Sequence, residues 1–265
     1  MKVVLFCGGQ GMRMREYSET IPKPMVKIGY RPILWYIMKY YAHFGHNEFI
    51  LCLGHKADYI KNYFVNYHEY VSNDFVFKPN GKNIKLLNSD TDNWTITFVD
   101  TGLNACVGER LKKVEKHIGD DTHFLCNYTD GLSDLPLDTM LEEGFKANKI
   151  GMFMAHKPSY SFHVVRLKED NSVKCFSPIG ASGLRINAGY FLFKREIFEY
   201  MKPGEELVEK PFQRLMEIDE LTAYPYDGTF LAMDTFKEKQ MLDNMFAKGN
   251  PPWEVWNKEV ETLVC

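Results

Sequence analysis

The chain opens with a short apolar run that leads directly into a glycine-rich turn: Val3-Val4-Leu5-Phe6-Cys7, then Gly8-Gly9-Gln10-Gly11-Met12-Arg13. An apolar run of this length that ends at glycines is typical of a strand buried on both faces of a parallel sheet. The glycines that follow let the backbone approach a ligand closely, because they carry no side chain. The sequence therefore predicts a buried strand that ends in a binding loop.

Beyond this strand, apolar runs alternate with helical periodicities. In the first half, strand patterns cover 49–54, 95–99 and 124–126, and helical patterns start at Pro32 and recur over 59–67 and 111–118. The second half has strand patterns at 150–155, 162–167, 173–176 and 186–193 and helical patterns near 211–218 and 236–246. This alternation predicts βαβ units and a largely parallel sheet. We expect one α/β domain over residues 1–265, with a mixed-sheet extension.

Composition excludes several classes of function. The 265 residues are 45% hydrophobic and 25% charged, with a formal net charge of -3, which is typical of a soluble globular domain. A chain with this charge balance lacks the excess of positive charge that is typical of nucleic-acid binding. No apolar run approaches the ~20 residues of a membrane span. The six cysteines form no CxxC pair, which disfavours zinc and suits a reducing compartment. We therefore expect a cytoplasmic protein with no nucleic-acid or membrane partner.

The turn and the residues after it favour phosphate binding. Free backbone N–H groups form a concavity for anions, Arg13 can hold phosphate oxygens in a fork, and Lys23 adds a second positive charge. The spacing matches neither G-x-G-x-x-G nor G-x-x-x-x-G-K-[ST], which disfavours a dinucleotide dehydrogenase and a P-loop enzyme. A glycine-rich turn alone can be purely structural, but the two cations strengthen the phosphate interpretation.

Two aspartates follow strand patterns. Asp130 comes after the 124–126 run, and Asp234 comes after Phe230-Leu231-Ala232-Met233. Ligands of α/β sheets bind at the carboxyl ends of strands, so either aspartate could face a ligand. Each one alone could equally cap a turn or a helix.

Several collinear motifs resemble those of sugar-1-phosphate nucleotidylyltransferases, and most closely of glucose-1-phosphate cytidylyltransferases. They are the glycine-rich turn, Pro22 to Gly29, Pro32 to Lys39, Val99 to Gly102, Tyr128 to Gly131, Met233 to Thr235 and Pro252 to Trp256. The resemblance implies a Rossmann-like αβα sandwich with a mostly parallel mixed sheet, of the nucleotide-diphospho-sugar transferase type. It also implies a nucleotide-binding half of about 1–130, an acceptor-binding half of about 131–247 and a C-terminal tail of 248–265.

The resemblance also implies a reaction and its residues. The phosphate of a sugar 1-phosphate would attack the α-phosphorus of CTP and release pyrophosphate, with Mg²⁺ held by Asp130 and Asp234 and with Arg13 and Lys23 as catalytic cations. The nucleotide-binding residues that it implies are Gly8, Gly9, Gly11, Met12, Arg13, Lys23, Thr101 and Arg110. A homo-oligomer is implied as well.

The chain departs from the family pattern at four places. Met12 replaces a threonine, Phe176-Ser177-Pro178-Ile179 replaces the E-K-P motif, Ser161-Phe162-His163 replaces an R-[FY]-G motif, and Phe230-Leu231 replaces an aromatic pair. Most of these departures fall on the acceptor side, so the acceptor need not be glucose 1-phosphate.

Four residues are candidates for binding the acceptor. Asn187 belongs to the family's I-N-x-G motif, and strand alternation places Arg185 on the same face, where it could replace the missing lysine. An exposed strand arginine is the equal alternative. His163 would shape the acceptor pocket, and Glu209 matches an acidic position that faces the sugar in related enzymes, or starts a helix in solvent.

The sequence therefore predicts a Mg²⁺-dependent cytidylyltransferase that acts on a glucose 1-phosphate-like acceptor. One alternative keeps CTP but uses another phosphorylated or phosphonate acceptor. Another is a non-catalytic paralogue that binds nucleotide only.

Overall fold

The computed structural model describes residues 1–9, 21–81, 83–89, 91, 93–158 and 162–257. The strands of this part of the chain are β1 Lys2–Phe6, β2 Lys27–Ile28, β3 Arg31–Pro32, β4 Glu48–Leu53, β5 Phe75–Lys78, β6 Asn83–Leu86, β7 Thr95–Asp100, β8 His123–Asn127, β9 Gly131–Ser133, β10 Gly151–His156, β11 His163–Leu167, β12 Val173–Pro178, β13 Ile186–Lys194, β14 Leu221–Tyr226 and β15 Phe230–Ala232. Its α-helices are α1 Ile33–His43, α2 Ala57–Val65, α3 Val107–Ile118, α4 Leu137–Ala147, α5 Lys210–Glu217 and α6 Phe236–Ala247.

A seven-stranded sheet in the order β14-β10-β13-β8-β1-β4-β7 forms the centre of the fold. The strands β8, β1, β4 and β7 are parallel neighbours, and β14 pairs in parallel with β10. Only β13 in this sheet is reversed, because it pairs antiparallel with both β8 and β10. The prediction of a mostly parallel mixed sheet is therefore confirmed, and six strands share one carboxyl edge.

Both faces of the sheet are buried, as the apolar run at the start of the chain predicts. Val3 and Leu5 belong to the buried cluster that contains the apolar face of α1, whereas Val4 and Phe6 belong to the cluster that contains the apolar face of α3. Alternate side chains of one strand thus face two different helical layers. This arrangement is an αβα sandwich, and it leaves the strand ends free to carry a site.

Some elements were not predicted. Helix α4 buries Leu137, Met140, Leu141 and Gly144 at helical spacing, but this stripe has only four positions, one of them a glycine. The β5–β6 hairpin has mainly exposed side chains, so it lacks the alternation that identifies a half-buried strand. No helix within the described ranges combines the length and apolar character that a membrane crossing requires.

Candidate active site

Asp130, Asp234 and Lys23 meet at the carboxyl edge of the sheet, although they are far apart in sequence. The Lys23 ammonium nitrogen lies 2.8 Å from Asp130 Oδ2 and 2.5 Å from Asp234 Oδ1. The Lys23 side chain is 15% exposed, while those of the two aspartates are 36% and 28% exposed. The structure thus joins both predicted metal ligands and one predicted catalytic cation in a cluster that solvent and ligands can reach.

A tight turn fixes the position of Lys23. Residues Lys23–Met25 form a 3₁₀ turn in which the Met25 N–H donates to the Pro22 carbonyl at 2.8 Å. Pro24 and Met25 are buried, and the two prolines that flank Lys23 restrict the backbone. The lysine is therefore presented from a rigid segment.

Asp130 is positioned by a strained residue that precedes it. Thr129 has φ +64, which is rare for a β-branched side chain. Two hydrogen bonds hold it there: its N–H donates to Asn127 Oδ1 and its hydroxyl donates to the Phe6 carbonyl, both at 2.8 Å. Strained backbone of this kind persists when its surroundings enforce it, and it is common at functional sites. No local signal in the sequence indicates this positive φ, and sequence reasoning did not single out Thr129.

A short antiparallel ladder brings Asp234 beside Asp130. In the β9–β15 pair Gly131 lies opposite Ala232, and the Met233 N–H donates to the Asp130 carbonyl at 2.8 Å. A Cβ on Gly131 would lie 2.5 Å from the Phe230 ring, so this close approach requires glycine. The ladder explains how residues about a hundred positions apart in sequence share one site.

The pKa values of Lys23 and Asp130 depend on each other's charge. Burial raises the pKa of Asp130, and the adjacent Lys23 ammonium opposes part of that increase. Burial also lowers the pKa of Lys23, but the attraction of Asp130 and Asp234 outweighs it, so that the net pKa shift is upward. Lys23 therefore remains positively charged at neutral pH.

The donor set fits a magnesium ion that is shared with a substrate. Mg²⁺ prefers oxygen ligands and in phosphate-transfer sites takes one or two carboxylates, with water and phosphate oxygens as the other ligands. Asp130 and Asp234 supply two carboxylates at an open edge. Within the ranges that the structure describes, no group of three or more His, Cys, Asp or Glu residues could hold a metal ion, so these two carboxylates do not form an all-protein cage.

A buried arginine ties together the loops on the other side of Asp130. Arg110, in the first turn of α3, is 4% exposed. Its guanidinium donates five hydrogen bonds to oxygen atoms at the ends of three parallel strands: Gly8 O (3.0 Å), Leu53 O (3.2 Å), Thr101 Oγ1 (2.7 Å), Gly102 O (2.9 Å) and Leu103 O (3.3 Å). We call this set the arginine hub. It fixes the loops after β1, β4 and β7 relative to one another.

The arginine hub includes Thr101 and Arg110, the two residues of this region that are predicted to bind the nucleotide. Thr101 is fully buried, and its hydroxyl donates to Leu53 O at 2.7 Å while it accepts from Arg110. Both side chains point into the protein and their polar atoms already have partners. They hold the loops after β1, β4 and β7 together, an arrangement that the sequence could not show because three separate strand ends build the hub. Their contact with a nucleotide stays a prediction.

The glycines of the first turn differ in their surroundings. A Cβ on Gly8 would lie 2.0 Å from Arg110 Nη1, whereas one on Gly9 would meet no heavy atom of the described residues within 4 Å. Gly8 therefore makes room for the arginine hub, and Gly9 is exposed where the loop begins. Gly11, Met12 and Arg13 lie outside the described residues, so their roles stay predictions.

Asn187 lies across from Asp130 at the start of β13. Its side-chain oxygen accepts from the Gly189 N–H at 2.9 Å, and Tyr128 is hydrogen-bonded to it. Gly189 has φ +76 and packs against the Tyr128 ring. The loop that carries Asp130 and the segment that carries Asn187 are therefore packed together.

Arg185 lies one residue before β13, which begins at Ile186, so the face of the strand that it shares with Asn187 stays a prediction. The Arg185 guanidinium reaches across the strand ends and donates to the Ala155 carbonyl at 2.9 Å, and it pairs with Asp227 at 2.8 Å. It is nevertheless at the same edge of the sheet as Asp130. Its role in binding the acceptor stays a prediction, which this position at the sheet edge supports.

The other two acceptor candidates lie on peripheral elements. His163 starts the β11–β12 hairpin, and its ring stacks on Phe176 with centroids 4.7 Å apart. Glu209 is exposed and precedes α5, where its carbonyl accepts from the Gln213 N–H at 2.9 Å. Their predicted contacts with an acceptor remain predictions.

Comparison with known proteins agrees with this geometry. The family model described as Nucleotidyl transferase matches residues 2–227. The chain belongs to the nucleotidyl transferase family. This nucleotidyl transferase is 36% identical over 262 residues to the probable glucose-1-phosphate cytidylyltransferase of Bacillus subtilis, and 34% identical over 259 residues to the glucose-1-phosphate cytidylyltransferase of Salmonella typhimurium. Each alignment covers 97% of this chain and 100% of the relative.

Solved structures share the fold of this nucleotidyl transferase. The UTP-bound UGPase from Acinetobacter baumannii superposes with a TM-score of 0.68 at 17% identity, covering 100% of this chain and 99% of that one. HddC from Yersinia pseudotuberculosis superposes with a TM-score of 0.65 at 21% identity, covering 92% and 99%. The prediction of the nucleotide-diphospho-sugar transferase fold is confirmed.

Proposed function

We propose that this nucleotidyl transferase moves CMP from CTP to a sugar 1-phosphate and releases pyrophosphate, with Mg²⁺ as its cofactor. The observation that carries the proposal is the convergence of Asp130, Asp234 and Lys23 at the carboxyl edge of the sheet. The cytidylyltransferase relatives support CTP as the donor and a sugar 1-phosphate as the acceptor.

The proposed step is a direct displacement. An oxygen of the acceptor phosphate forms a bond to the α-phosphorus of CTP, and the bond from that phosphorus to the bridging oxygen of pyrophosphate breaks. A phosphate nucleophile is already ionised near neutral pH, so the step requires positioning and charge neutralisation rather than a general base. Mg²⁺, when bound, would neutralise phosphate oxygens of donor and acceptor.

The chain's own residues divide this work. Asp130 and Asp234 would hold the metal ion. Lys23 would donate hydrogen bonds to phosphate oxygens from its rigid turn, and the arginine hub would keep the loops after β1, β4 and β7 in place. The loops of the β1–β4–β7 side would bind the nucleotide. The acceptor would bind at the start of β13 and at the ends of β10 and β14.

Pyrophosphate release tests the proposal. With Mg²⁺ and a panel of sugar 1-phosphates, CTP should support release, and UTP, dTTP, ATP and GTP should support much less. Asp130→Asn and Asp234→Asn should each reduce the rate at least ~100-fold, because each removes a carboxylate from the metal. Asp219→Asn, at the opposite edge of the sheet, is the control. CTP binding without pyrophosphate release on any acceptor would instead favour a non-catalytic protein.

The departures at Phe176 to Ile179 and at His163 favour an acceptor other than glucose 1-phosphate. The acceptor panel should therefore include modified sugar phosphates and phosphonates. The same proposal includes a homo-oligomer, and light scattering coupled to size exclusion tests that oligomeric state directly. It also includes a cytoplasmic location, which cell fractionation tests.

A further inference from the structure

Three charged side chains form a row just beyond the ends of β10, β13 and β14. The register pairs His156 with Tyr226 on one side and with Ile186 on the other, so the next row holds Lys157, Asp227 and Arg185. In that row Lys157 Nζ lies 2.5 Å from Asp227 Oδ2, and Arg185 Nη1 lies 2.8 Å from Asp227 Oδ1. Two cations thus share a single carboxylate, and the row has a formal charge of +1.

The row lies at the same edge of the sheet as the candidate active site. Lys157 and Asp227 follow parallel strands, and Arg185 precedes the reversed strand, so all three flank the carboxyl edge that carries Asp130. They lie on the β13–β10–β14 side of β8, whereas the arginine hub lies on the β1–β4–β7 side. The row is therefore on the side that the proposed function leaves for the acceptor.

Hydrogen bonds connect the row to the segment that carries the catalytic aspartates. The Tyr226 hydroxyl and the Thr229 N–H both donate to Asp134 Oδ1, at 2.6 Å and 2.7 Å. Asp134 directly follows β9, which begins after Asp130, and Thr229 directly precedes β15, which leads to Asp234. The backbone around Asp227 is thus fixed relative to both metal carboxylates.

The row has the chemistry of an oxyanion site. A carboxylate held by an arginine and a lysine makes the same kind of charge-assisted hydrogen bonds as a phosphate. Arg185 is anchored independently, since it also donates to the Ala155 and Tyr226 carbonyls. The side chains of Lys157 and Asp227 are 48% and 50% exposed, so an anion can reach the pair and Asp227 can turn away at small cost.

We propose that Lys157 and Arg185 bind an oxyanionic group of the acceptor, and that Asp227 occupies their site in the free protein until the acceptor displaces it. This inference rests on the proposed function for the identity of the acceptor. The anion is either the acceptor phosphate that attacks CTP or a second acidic group on the same molecule.

Asp227→Asn tests the inference, because it removes the competing carboxylate and keeps the side-chain shape. Acceptor binding is measured by calorimetry without nucleotide, using glucose 1-phosphate, glucose 1,6-bisphosphate, glucuronic acid 1-phosphate and inorganic phosphate. We expect Kd for at least one of these anions to fall about threefold to tenfold. A gain already present with glucose 1-phosphate assigns the attacking phosphate to the pair, whereas a gain confined to the doubly acidic compounds assigns the second group.

The chain supplies a matched control at the opposite edge of the same two strands. Lys149 precedes β10, Asp219 precedes β14, and their side chains pair at 2.7 Å. Asp219→Asn likewise removes a carboxylate that pairs with a lysine and should leave anion binding unchanged. Adding Lys157→Met to Asp227→Asn should reverse the gain, while the melting temperature monitors folding.

Two results would overturn the inference: unchanged or weaker binding of every anion by Asp227→Asn, or an equal gain in Asp219→Asn. Either would make the row a structural clamp between strand ends. Tighter anion binding in a protein that releases no pyrophosphate would contradict the proposed function alone, because the binding assay contains no nucleotide.

Discussion

Replacement of Arg110 by methionine should destabilise the fold and weaken nucleotide binding together. Methionine keeps an unbranched side chain of similar length but donates no hydrogen bond. Of the four carbonyl oxygens that Arg110 contacts, Leu53 O still accepts from the Thr101 N–H and hydroxyl, and Gly8 O still accepts from the His55 N–H at 3.5 Å. The Gly102 and Leu103 carbonyls lose the contacts that the guanidinium makes with them.

The expected loss of unfolding free energy depends on how many carbonyl acceptors lose a donor. A buried acceptor that is left unsatisfied costs about 1–3 kcal/mol, and Arg110→Met leaves no unpaired charge because the partners are neutral. With the Gly102 and Leu103 carbonyls affected and with methionine filling part of the space, we expect a loss of about 3 kcal/mol of unfolding free energy. Urea denaturation followed by circular dichroism measures it. Lys116→Met, on an exposed position of the same helix, should change the unfolding free energy by less than about 0.5 kcal/mol.

The nucleotide should bind more weakly to Arg110→Met because three loops lose their common donor. We expect Kd for CTP to rise about tenfold or more, which is at least ~1.4 kcal/mol. Arg110→Lys should recover only part of either effect, because an ammonium cannot reproduce the planar fork. Stability and CTP affinity within error of the Lys116→Met control would refute the assignment of the arginine hub as the support of these loops.

Three further predictions test the cluster and its surroundings. Gly8→Ala should lower the unfolding free energy by about 2 kcal/mol because its Cβ would meet the Arg110 guanidinium, whereas Gly9→Ala should leave it unchanged in the same melt. In the absence of nucleotide, Lys23→Met should bind Mn²⁺ more tightly than the wild type, because Asp130 and Asp234 lose the cation between them. Electron paramagnetic resonance measures the bound Mn²⁺, and weaker binding would argue against the metal assignment. Two hydrogen bonds from Arg214 hold the pKa of Glu205 at about 2, below its ordinary 4.5. Glu205→Gln should therefore lower the melting temperature at pH 7, and that difference should shrink as the pH falls below 4.5; a difference independent of pH would contradict the ion-pair explanation.

Local patterns in the sequence predicted those strands and helices whose apolar residues recur at one regular spacing. The run from Val3 to Cys7 is apolar at every position because helices cover both faces of β1, and Leu111, Val114 and Ile118 lie on the buried stripe of α3. Such patterns report on the immediate neighbours of a residue in its own element. They correctly placed Asp130 and Asp234 after strands.

The functions of several polar residues depend on contacts that no local pattern contains. Arg110 precedes an amphipathic stripe, where an arginine is ordinarily solvated, yet it is buried because three strand ends converge on it. The positive φ of Thr129 follows from Asn127 and from Phe6, which is 123 residues away in sequence. The resemblance placed Arg110 close to the nucleotide but not in its supporting role, and it gave no indication of Lys157 or Asp227.

The two sides of the candidate site are built with opposite uses of positive charge. On the β1–β4–β7 side, a desolvated guanidinium has carbonyl and hydroxyl partners, so exchanging it for another ligand would leave buried polar atoms unsatisfied at a cost of several kcal/mol. On the β13–β10–β14 side, the ion pairs of Asp227 are half-exposed, and pairs of this kind contribute about 0–1 kcal/mol. The first arrangement suits a scaffold that must not move, and the second suits a contact that an incoming anion can replace. The solvation of its partners therefore distinguishes Arg110, which supports the loops, from Arg185, which we propose binds the acceptor.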